Sequence, residues 1–498
     1  MILSTRHMNW LRATCAALAT SVALTTVLTA APAAAQAESV VLIPGQRVSP
    51  TGERLDFEAG TLLVPEHHGR AGAQRIAIPF ERYRARKPSG ASPIFILAGG
   101  PSSSALDRLD AKRGREDLAF YSEFADVVVF DQRGGGRSMP RMTCPDTVEL
   151  PLDKPSTAEA RIAAMRTIAK ACRAYWTARG VDLTAYTTPE NADDVAQLAK
   201  ALGYDKISLV GGSYGSHLGL SLIRRHPGMI DRVVLRGIEG PDDTYDSPSH
   251  TLDVMARVAA AAEASPELAG AIPPGGLIAA LKTVEARLAA KPVTVAVTVE
   301  GETSNITLGA DDVRLEARSG VGRGGAWPAF VIGMYRGDYS KLARLALEDR
   351  TISIGAPMHG MMDCASGISP GRKREFLADP AREVLGDINE EYNATCDIWN
   401  APDLGAGFRA PVRSTVPILI FHGTWDKNTA LENAESAAKG FSRIGFSRVE
   451  GGTHPVIDEL YEMWEPMRPT MREFLEGGEP VLPATIALPK ITFDKPAP

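Results

Sequence analysis

Several features are scarce or missing in this 498-residue sequence, and each absence removes a class of function. Beyond residue 37 no apolar stretch is long enough to span a bilayer, so we expect no membrane-spanning helix there. Lys and Arg are scattered and the formal net charge is -6, which argues against nucleic acid as a partner. No H-E-x-x-H motif and no C-x-x-C spacing occurs, so we expect no metal site. Internal repeats and low-complexity tracts are also missing, which favours an ordinary globular fold.

The first 37 residues have the layout of a signal peptide. Basic residues precede an apolar run from Ala13 to Ala30, and small residues follow it, with cleavage expected after Ala35 or Ala37. The alternative is an uncleaved membrane anchor, which the weakly apolar Ala- and Thr-rich composition of the run disfavours. We therefore expect an exported protein, periplasmic or secreted, without a stable membrane anchor after cleavage. The oligomeric state has no signature in the sequence.

Four cysteines remain beyond the predicted signal peptide, and an even number suits disulfides in an oxidising compartment. Three pairings are formally possible. We favour Cys144 with Cys172 and Cys364 with Cys396, since each pair closes a short loop. Four unpaired thiols are the alternative.

Strand and helix patterns alternate along much of the chain. A β-meander is predicted over Phe57 to Arg86, followed by two short buried strands at Pro93 to Leu97 and Ala125 to Phe130. A helical pattern that stops at Gly203 precedes the strand Ile207 to Val210, a further helix and another strand. This alternation predicts an α/β fold with a mostly parallel central sheet and helices on both faces.

The alternation is interrupted after Gly240 and returns near Pro417. We expect residues 38–240 and 413–478 to form the core, and residues 241–412 to form an inserted, mainly helical cap with a hairpin over Val293 to Leu308. The Pro-rich residues 479–498 are expected to be a surface tail.

A G-x-S-x-G motif, Gly211-Gly212-Ser213-Tyr214-Gly215, lies directly between a predicted strand and a predicted helix. Small residues two positions before and after the serine allow a sharp turn that lifts its hydroxyl above the sheet edge. The five letters alone could mark a simple turn, but this placement indicates that Ser213 is a nucleophile.

A serine nucleophile needs a base and an acid that orients the base. The strand that ends at His422 is followed by Asp426, and the next strand is followed by His454, which gives the order serine, acid, histidine. The other histidines lie in helices, early turns, a buried strand or the cap. The sequence therefore predicts a triad of Ser213, Asp426 and His454.

Acyl transfer also requires hydrogen-bond donors for the oxyanion. The backbone N–H of Tyr214 is one candidate. The second is expected from the loop after the strand at Pro93 to Leu97, where we choose Gly100, with Gly99 behind it. Pro101 has no N–H to donate. Both glycines could also simply permit a tight turn.

Several longer segments resemble the prolyl aminopeptidase and tripeptidyl aminopeptidase group of serine peptidases, which have the α/β-hydrolase fold. They span most of the predicted core and are GTLLVP, LAGGP at 97–101, DQRGGGRS at 131–138, YTTPENADDVAQLAKALGYDKISLVGGSYGS at 186–216, HPGMIDRVVLRG at 226–237, GTWD at 423–426 and GGTH at 451–454.

The resemblance implies removal of N-terminal residues or short peptides, with acidic cap groups holding the free amine of the substrate. Glu239 is a candidate for that ion pair, against a solvated loop carboxylate. Two motifs depart from the family pattern: its usual GGPG is AGGPS here, and a familiar proline is absent from GTWDKNTA. These departures leave the predicted nucleophile and acid in place and put the substrate preference in doubt.

The sequence thus predicts an exported serine hydrolase that needs no cofactor and acts on peptides with a free N-terminus. A carboxylesterase is the first alternative, because the same triad serves both reactions. A non-catalytic binding protein of the same fold is the second, and the complete set of triad residues argues against it.

Overall fold

A computed structural model describes residues 40–496 of the chain. The chain divides into two units, Met1–Glu38 and Ser39–Pro498, and the description below concerns the second. The predicted signal peptide, residues 1–37, lies outside the described residues and stays a prediction.

Fourteen strands occur in the described residues. Ten of them form one sheet in the order β1-β2-β3-β5-β4-β7-β8-β12-β13-β14, and two further pairs, β9 with β10 and β6 with β11, are separate. Their bounds are β1 Ile43–Val48, β2 Arg54–Pro65, β3 Arg75–Tyr83, β4 Ile94–Leu97, β5 Val127–Phe130, β6 Thr147–Glu149, β7 Ile207–Ser213, β8 Ile230–Ile238, β9 Val293–Val299, β10 Glu302–Leu308, β11 Thr351–Ser353, β12 Ile418–Gly423, β13 Ile444–Glu450 and β14 Thr485–Ala487.

The large sheet is mixed, with an antiparallel end and a parallel remainder. Strands β1, β2 and β3 pair antiparallel with one another, and β3 pairs antiparallel with β5. From β5 to β14 every neighbouring pair is parallel. The carboxyl ends of these parallel strands therefore meet at one edge of the sheet, where crossover folds of this kind place their sites.

Eighteen α-helices occur in the described residues, and several of them cover the two faces of the large sheet. Their bounds are α1 Ala105–Arg108, α2 Lys112–Tyr121, α3 Ala158–Thr177, α4 Thr188–Ala201, α5 Tyr214–Arg225, α6 Pro248–Glu263, α7 Gly276–Ala290, α8 Ala310–Gly320, α9 Trp327–Arg336, α10 Ser340–Glu348, α11 Pro357–Ser366, α12 Pro370–Ala378, α13 Arg382–Leu385, α14 Glu390–Trp399, α15 Gly405–Arg409, α16 Leu431–Ala438, α17 Val456–Met463 and α18 Met467–Leu475.

The central strands are apolar on both faces because each face is buried. In β5, Val128 and Phe130 pack into a core shared with α4 and α5, whereas Val127 and Val129 pack into a second core shared with α2, α17 and α18. Successive side chains of a strand point to opposite faces, so a continuous apolar run is what a sheet between two helical layers requires. Burial of these side chains stabilises the sheet by about 25 cal/mol per Å² of apolar surface.

A long insertion separates β8 from β12, although the two strands are hydrogen-bonded neighbours in the sheet. The insertion contains helices α6 to α15 and the hairpin of β9 and β10, which has the predicted outer limits Val293 and Leu308. Its side chains form a third apolar core, which includes Val254, Leu281 and Val331. The domain boundaries at residues 240 and 412 stay a proposal.

Helix α3 packs on the insertion although it precedes β7 in sequence. Arg161 of α3 makes a bidentate ion pair with Glu390 of α14, at 2.8 and 2.9 Å. Arg166 pairs with Asp397 of the same helix, at 2.8 Å for each nitrogen. Part of the segment that the sequence assigns to the core therefore supports the cap helices.

The last residues differ from the predicted surface tail. Residues Thr485–Ala487 add strand β14 to the edge of the large sheet, and Ile486 is buried there. Further on, Phe493 is buried in the core of the insertion. The Pro-rich composition did not indicate this strand. Only three of its residues pair, and their partner strand β13 lies some distance away in sequence.

The structure joins the cysteines in the two predicted pairs. Cys144 is bonded to Cys172 and Cys364 to Cys396, with Cα atoms 5.1 and 5.3 Å apart. Two disulfides in one chain are typical of an oxidising compartment. None of the helices within residues 40–496 is both long and apolar enough to cross a membrane.

Candidate active site

Ser213 lies at the sharp turn between β7 and α5. It has a φ of 57° and a ψ of -134°, a conformation that a non-glycine residue rarely adopts. Such strain persists only where the surrounding structure imposes it, and it occurs mainly at functional sites. The turn places the serine at the carboxyl edge of the sheet, immediately before the first residue of a helix.

Backbone atoms approach the two flanking glycines so closely that neither position has room for a side chain. A Cβ at Gly215 would lie 2.3 Å from the carbonyl oxygen of Leu97, and one at Gly211 would lie 2.8 Å from the carbonyl oxygen of Gly215. Atoms that close would have to separate, which would open the turn. The spacing of the sequence motif thus reflects packing around the serine as well as backbone freedom.

His454 and Asp426 are brought together from two different loops. The imidazole Nδ1 lies 2.9 Å from each carboxylate oxygen of Asp426. Asp426 is fully buried, whereas the His454 side chain is 21% exposed. An Nδ1–H donated to the carboxylate leaves Nε2 as the nitrogen available to accept a proton from a neighbouring hydroxyl.

The carboxylate of Asp426 is held in its ionised form. Burial alone would raise its pKa, but the charge and hydrogen bond of His454 outweigh burial and hold the pKa below its usual range. The hydroxyl of Thr429 donates to the same carboxylate at 2.7 Å, and the backbone N–H groups of Asn428 and Thr429 donate at 2.9 and 3.1 Å. Asp426 is therefore a fixed anion that orients the imidazole.

Gly237 supports the imidazole of His454 near the strand partner of Ser213. In the sheet, Ser213 of β7 pairs with Ile238 of β8, the residue that follows Gly237. A Cβ on Gly237 would lie 2.9 Å from Cε1 of His454 and 3.3 Å from a carboxylate oxygen of Asp426. The imidazole thus packs on bare backbone one residue from the strand partner of Ser213.

Arg236 holds the loop of His454 through its backbone. The Nη1 of Arg236 donates to the carbonyl oxygen of His454 at 2.9 Å, and burial lowers the pKa of the guanidinium. The side chain runs past Gly212, where a Cβ would lie 2.6 Å from Cγ of Arg236. The strand that carries Gly237 therefore also fixes the backbone of His454.

The predicted oxyanion donors lie on two sides of the serine. Tyr214 begins helix α5, where its N–H has no acceptor within the helix. The loop after β4 approaches from the other side, and a Cβ on Gly99 would lie 3.1 Å from Cβ and 3.7 Å from Oγ of Ser213. Gly100, the predicted donor, is the next residue along this loop. Gln132 supports the loop by donating to the carbonyl oxygen of Ala98 at 2.8 Å.

Glu239 begins an acidic cluster next to the serine. Its backbone N–H donates to Oγ of Ser216 at 2.8 Å, and that hydroxyl donates to the carbonyl oxygen of Ser213 at 2.7 Å. Carboxyl groups of the insertion act on Glu239 electrostatically. We define the acidic cluster as Glu239, Asp246, Asp363 and Glu391.

Most carboxyls of the acidic cluster are held less acidic than usual. Burial, followed by the charges of Asp363 and Asp246, raises the pKa of Glu239 well above its ordinary value. Burial also raises the pKa of Asp246 and that of Asp363 to about 6. Buried carboxyl groups with raised pKa values mark a site that a cation would stabilise.

His359 is the cationic group within the acidic cluster. Its side chain is 35% exposed and lies 3.3 Å from the carboxylate of Asp363 and 3.7 Å from that of Glu391. Burial alone would lower its pKa, but the charges of Asp363 and Glu391 outweigh burial and raise the pKa to about 10. One imidazolium thus faces four carboxyl groups.

His217 lies near Glu239 but supplies no positive charge. Its Nδ1 lies 3.0 Å from the carbonyl oxygen of Gly240 and its Nε2 lies 2.9 Å from Oγ of Ser366. Burial lowers the pKa of His217 to about 4. A neutral imidazole that donates from Nδ1 and accepts at Nε2 satisfies both partners.

Sequence reasoning identified the residues at strand ends and missed most of those from helices. Gly237, Asp246, His359, Asp363, Glu391 and Arg236 were not singled out. Gly237 had a detectable cue, since a glycine near the end of an apolar strand breaks the pattern. The others have no local cue, because they join the site only through packing of the insertion. No group of three or more metal-binding side chains occurs within residues 40–496.

A family model described as the alpha/beta hydrolase fold matches residues 92–264. The match spans β4, β5, β7 and β8, the turn at Ser213 and the start of the insertion. It includes the strained serine and the loop of Gly99, but not Asp426 or His454.

Curated relatives have peptidase names. The chain is 29% identical over 182 residues to the proline iminopeptidase of Xylella fastidiosa, covering 36% of this chain and 40% of that protein. It is 26% identical over 194 residues to the tripeptidyl aminopeptidase of Streptomyces lividans, covering 37% of this chain and 36% of that protein. The matches span less than half the length of either relative.

Among solved structures, a proline iminopeptidase-related protein of Thermus thermophilus has a TM-score of 0.33 and 18% identity, covering 89% of this chain and 100% of that chain. The sheet order, the strand–turn–helix at Ser213 and the family match agree on the fold. The chain has the α/β-hydrolase fold, and part of it is similar in sequence to proline iminopeptidases and tripeptidyl aminopeptidases.

Proposed function

We propose that this protein is an exported serine peptidase that releases N-terminal residues or short peptides through an acyl-enzyme on Ser213. The observation that carries the proposal is the acidic cluster beside a strained serine and a paired histidine and aspartate. Placing four carboxyl groups close together in a buried site costs free energy, because like charges repel and burial disfavours the charged form. A positively charged substrate amine offsets that cost.

Ser213 is the nucleophile in this proposal, and His454 is its general base. Nε2 of His454 accepts the hydroxyl proton while Oγ attacks the carbonyl carbon of the substrate. Asp426 keeps the imidazole in the tautomer that makes this transfer possible and stabilises the imidazolium that forms. The proton then passes to the leaving amine, and a water molecule activated by His454 releases the acyl group.

The N–H of Tyr214 and the N–H of Gly100 are the proposed oxyanion donors. Donors that are fixed before the reaction stabilise the negative charge that develops on the carbonyl oxygen, and each is worth about a hundred- to thousand-fold in rate. Gly99 matters because its lack of a side chain lets this loop approach Ser213.

Glu239 and its neighbours bind the free amine of the substrate. A protonated amine has a pKa of about 8, so it carries its charge at neutral pH. When it enters the acidic cluster it favours the ionised form of the carboxyls, and charge-assisted hydrogen bonds form. A blocked N-terminus brings no charge and leaves the cluster uncompensated.

Export is part of the proposal. It rests on the predicted signal peptide and on the two disulfides, which form and persist in oxidising compartments.

The test compares an aminoacyl or short peptidyl anilide with its N-acetyl form, using wild type and Ser213→Ala. We expect hydrolysis of the free-amine substrate, a large loss for the acetylated one, and no activity in the variant. A fluorophosphonate probe should label wild type and not Ser213→Ala. Equal hydrolysis of both anilides would instead indicate an esterase-like enzyme that ignores the amine. Failure of wild type to react with the probe would indicate a binding protein of the same fold.

A further inference from the structure

The Cys364–Cys396 disulfide ties α11 to α14, the two helices that carry Asp363 and Glu391 of the acidic cluster. The bond joins Cα atoms 5.3 Å apart, across a sequence separation of 32 residues. Cys364 directly follows Asp363 in α11, and Cys396 lies one helical turn after Tyr392 in α14. The covalent link is therefore adjacent to the acidic cluster in both helices.

The helices also meet through side chains of the cluster. The Tyr392 hydroxyl donates to the carboxylate of Asp363 at 3.1 Å. The rings of His359 and Tyr392 stack with centroids 5.8 Å apart and an interplanar angle of 21°. The Tyr245 hydroxyl lies 3.7 Å from Sγ of Cys396, so the disulfide itself borders this group of rings.

Electrostatic repulsion acts across the gap that the disulfide spans. Asp363 lies on α11, Glu391 on α14 and Glu239 next to the serine, and each is a carboxyl group near the others. Like charges at short range repel, and His359 is the cation that acts on all three of these carboxyls. Two helices held by side-chain contacts alone would relax this repulsion by moving apart.

The two helices are anchored to different parts of the molecule. Ser366 of α11 shares a hydrogen bond with His217 of α5, at 2.9 Å. Helix α14 is held on α3 through the ion pairs of Glu390 and Asp397. Because the anchors differ, motion of α3 and α14 relative to α5 would move Glu391 away from Asp363, and the disulfide opposes that motion.

Resting on the proposed function, we propose that the Cys364–Cys396 disulfide is a positioning element for the substrate amine. It keeps Asp363 and Glu391 assembled with Glu239 before a substrate arrives. A site already held in its binding arrangement does not have to be ordered on binding, and this raises affinity. Loss of the bond weakens binding of free-amine substrates and leaves the reactivity of Ser213 unchanged.

The second disulfide provides a matched control. Cys144–Cys172 has a similar Cα separation, 5.1 Å, and a similar sequence separation, 28 residues. It ties the loop after β5 to α3, where Trp176 donates to the carbonyl oxygen of Thr143 at 3.0 Å. It stabilises the fold as a cross-link, as any disulfide does, but it does not join α11 to α14.

The experiment measures kcat and KM on a free-amine anilide and the rate of fluorophosphonate labelling, for wild type, C364S/C396S and C144S/C172S. We expect C364S/C396S to raise KM about tenfold, the loss of a preorganised site, with labelling within about twofold of wild type. We expect C144S/C172S to leave KM within about twofold of wild type, because the acidic cluster keeps its own cross-link. An unchanged KM in C364S/C396S, or an equal rise in both double variants, overturns the proposal.

A second measurement covers the case in which C364S/C396S does not fold. In folded C144S/C172S, Cys364–Cys396 is the one remaining disulfide of the described residues, so a phosphine reductant acts on it alone. Reduction should raise KM and reoxidation should restore it, and a KM that stays constant after complete reduction contradicts the proposal. Failure of the proposed function is separate, since it appears in wild type as equal hydrolysis of the free and acetylated anilides.

Discussion

The carboxylate of Asp426 and the carboxyls of the acidic cluster have opposite environments. Asp426 is surrounded by donors, so its pKa lies below the ordinary value although the residue is fully buried. Burial raises the pKa values of Glu239, Asp246 and Asp363, and the nearby donors and positive charges do not offset it. The carboxylate of Asp426 has its hydrogen-bond donors already in the free protein, whereas the acidic cluster is an arrangement that a cation would stabilise.

The two groups also come from different parts of the fold. Asp426 follows strand β12 of the large sheet, in the same way that His454 follows β13. Asp246, Asp363 and Glu391 come from the insertion. In the proposed function, the sheet edge supplies the reaction chemistry and the insertion helps to bind the substrate amine. If the two groups act separately, a substitution in one should leave the role of the other unchanged.

The largest expected effect is on the reaction side. Ser213→Ala should lower kcat for every substrate by about ten-thousand-fold or more, because the nucleophile is lost. Binding of a free-amine inhibitor should persist with a dissociation constant near that of wild type, measured by calorimetry. A variant that loses binding as well would show that the two groups are not separable.

Gly237→Ala should lower kcat by about a hundredfold on free-amine and neutral substrates alike. The new Cβ would displace the imidazole of His454, and displacement of about 1 Å is enough for a loss of this size. Gly203→Ala is the matched control, because Gly203 also has a positive φ, +81°, but a Cβ there meets nothing within 4 Å. It would share the backbone strain without the clash, so equal loss of kcat in both variants would contradict the role given to Gly237.

Glu239→Gln should raise KM for a free-amine anilide by about ten- to a hundredfold, the worth of a hydrogen bond to a charged group. Labelling by a fluorophosphonate should be unchanged. Glu316→Gln is the control, since Glu316 is another buried carboxyl of raised pKa, about 9, whose neighbours are Asp349 and Asp312 in the cap. A normal KM in Glu239→Gln would remove Glu239 from the amine site.

The smallest expected effect is a pH dependence. The ratio of kcat/KM for a free-amine substrate to that for a neutral ester should rise as pH increases through about 6, where Asp246 and Asp363 lose their protons. It should fall above about pH 8, as the substrate amine loses its charge. The ratio removes the titration of the triad, which both substrates share. A ratio that stays constant both through about pH 6 and above about pH 8 would contradict the cluster. Besides the four carboxyls themselves, the charged and titratable groups that act on the cluster are His359, Tyr245, Tyr392, Lys427, His250 and Asp426.

Much of the reaction side could be predicted because its cues are local. A strand, a glycine-flanked serine and a helix follow one another within residues 207–225. The acid and the histidine each follow an apolar run, and parallel strands bring such positions to one edge. The hairpin at 293–308 was also predictable, since alternating residues on both sides of a short turn specify it.

The sequence by itself thus determined the fold class, the order of serine, acid and histidine, and the favoured cysteine pairs. Only the tertiary structure decided that Asp363, Asp246 and His359 meet Glu239, that Gly237 supports the imidazole, and that the tail contributes β14. These residues are joined by packing between segments that are far apart in the chain, or by the last strand of the sheet. No short-range pattern encodes such contacts, because a carboxylate on a helix looks the same in sequence whether it faces water or another carboxylate.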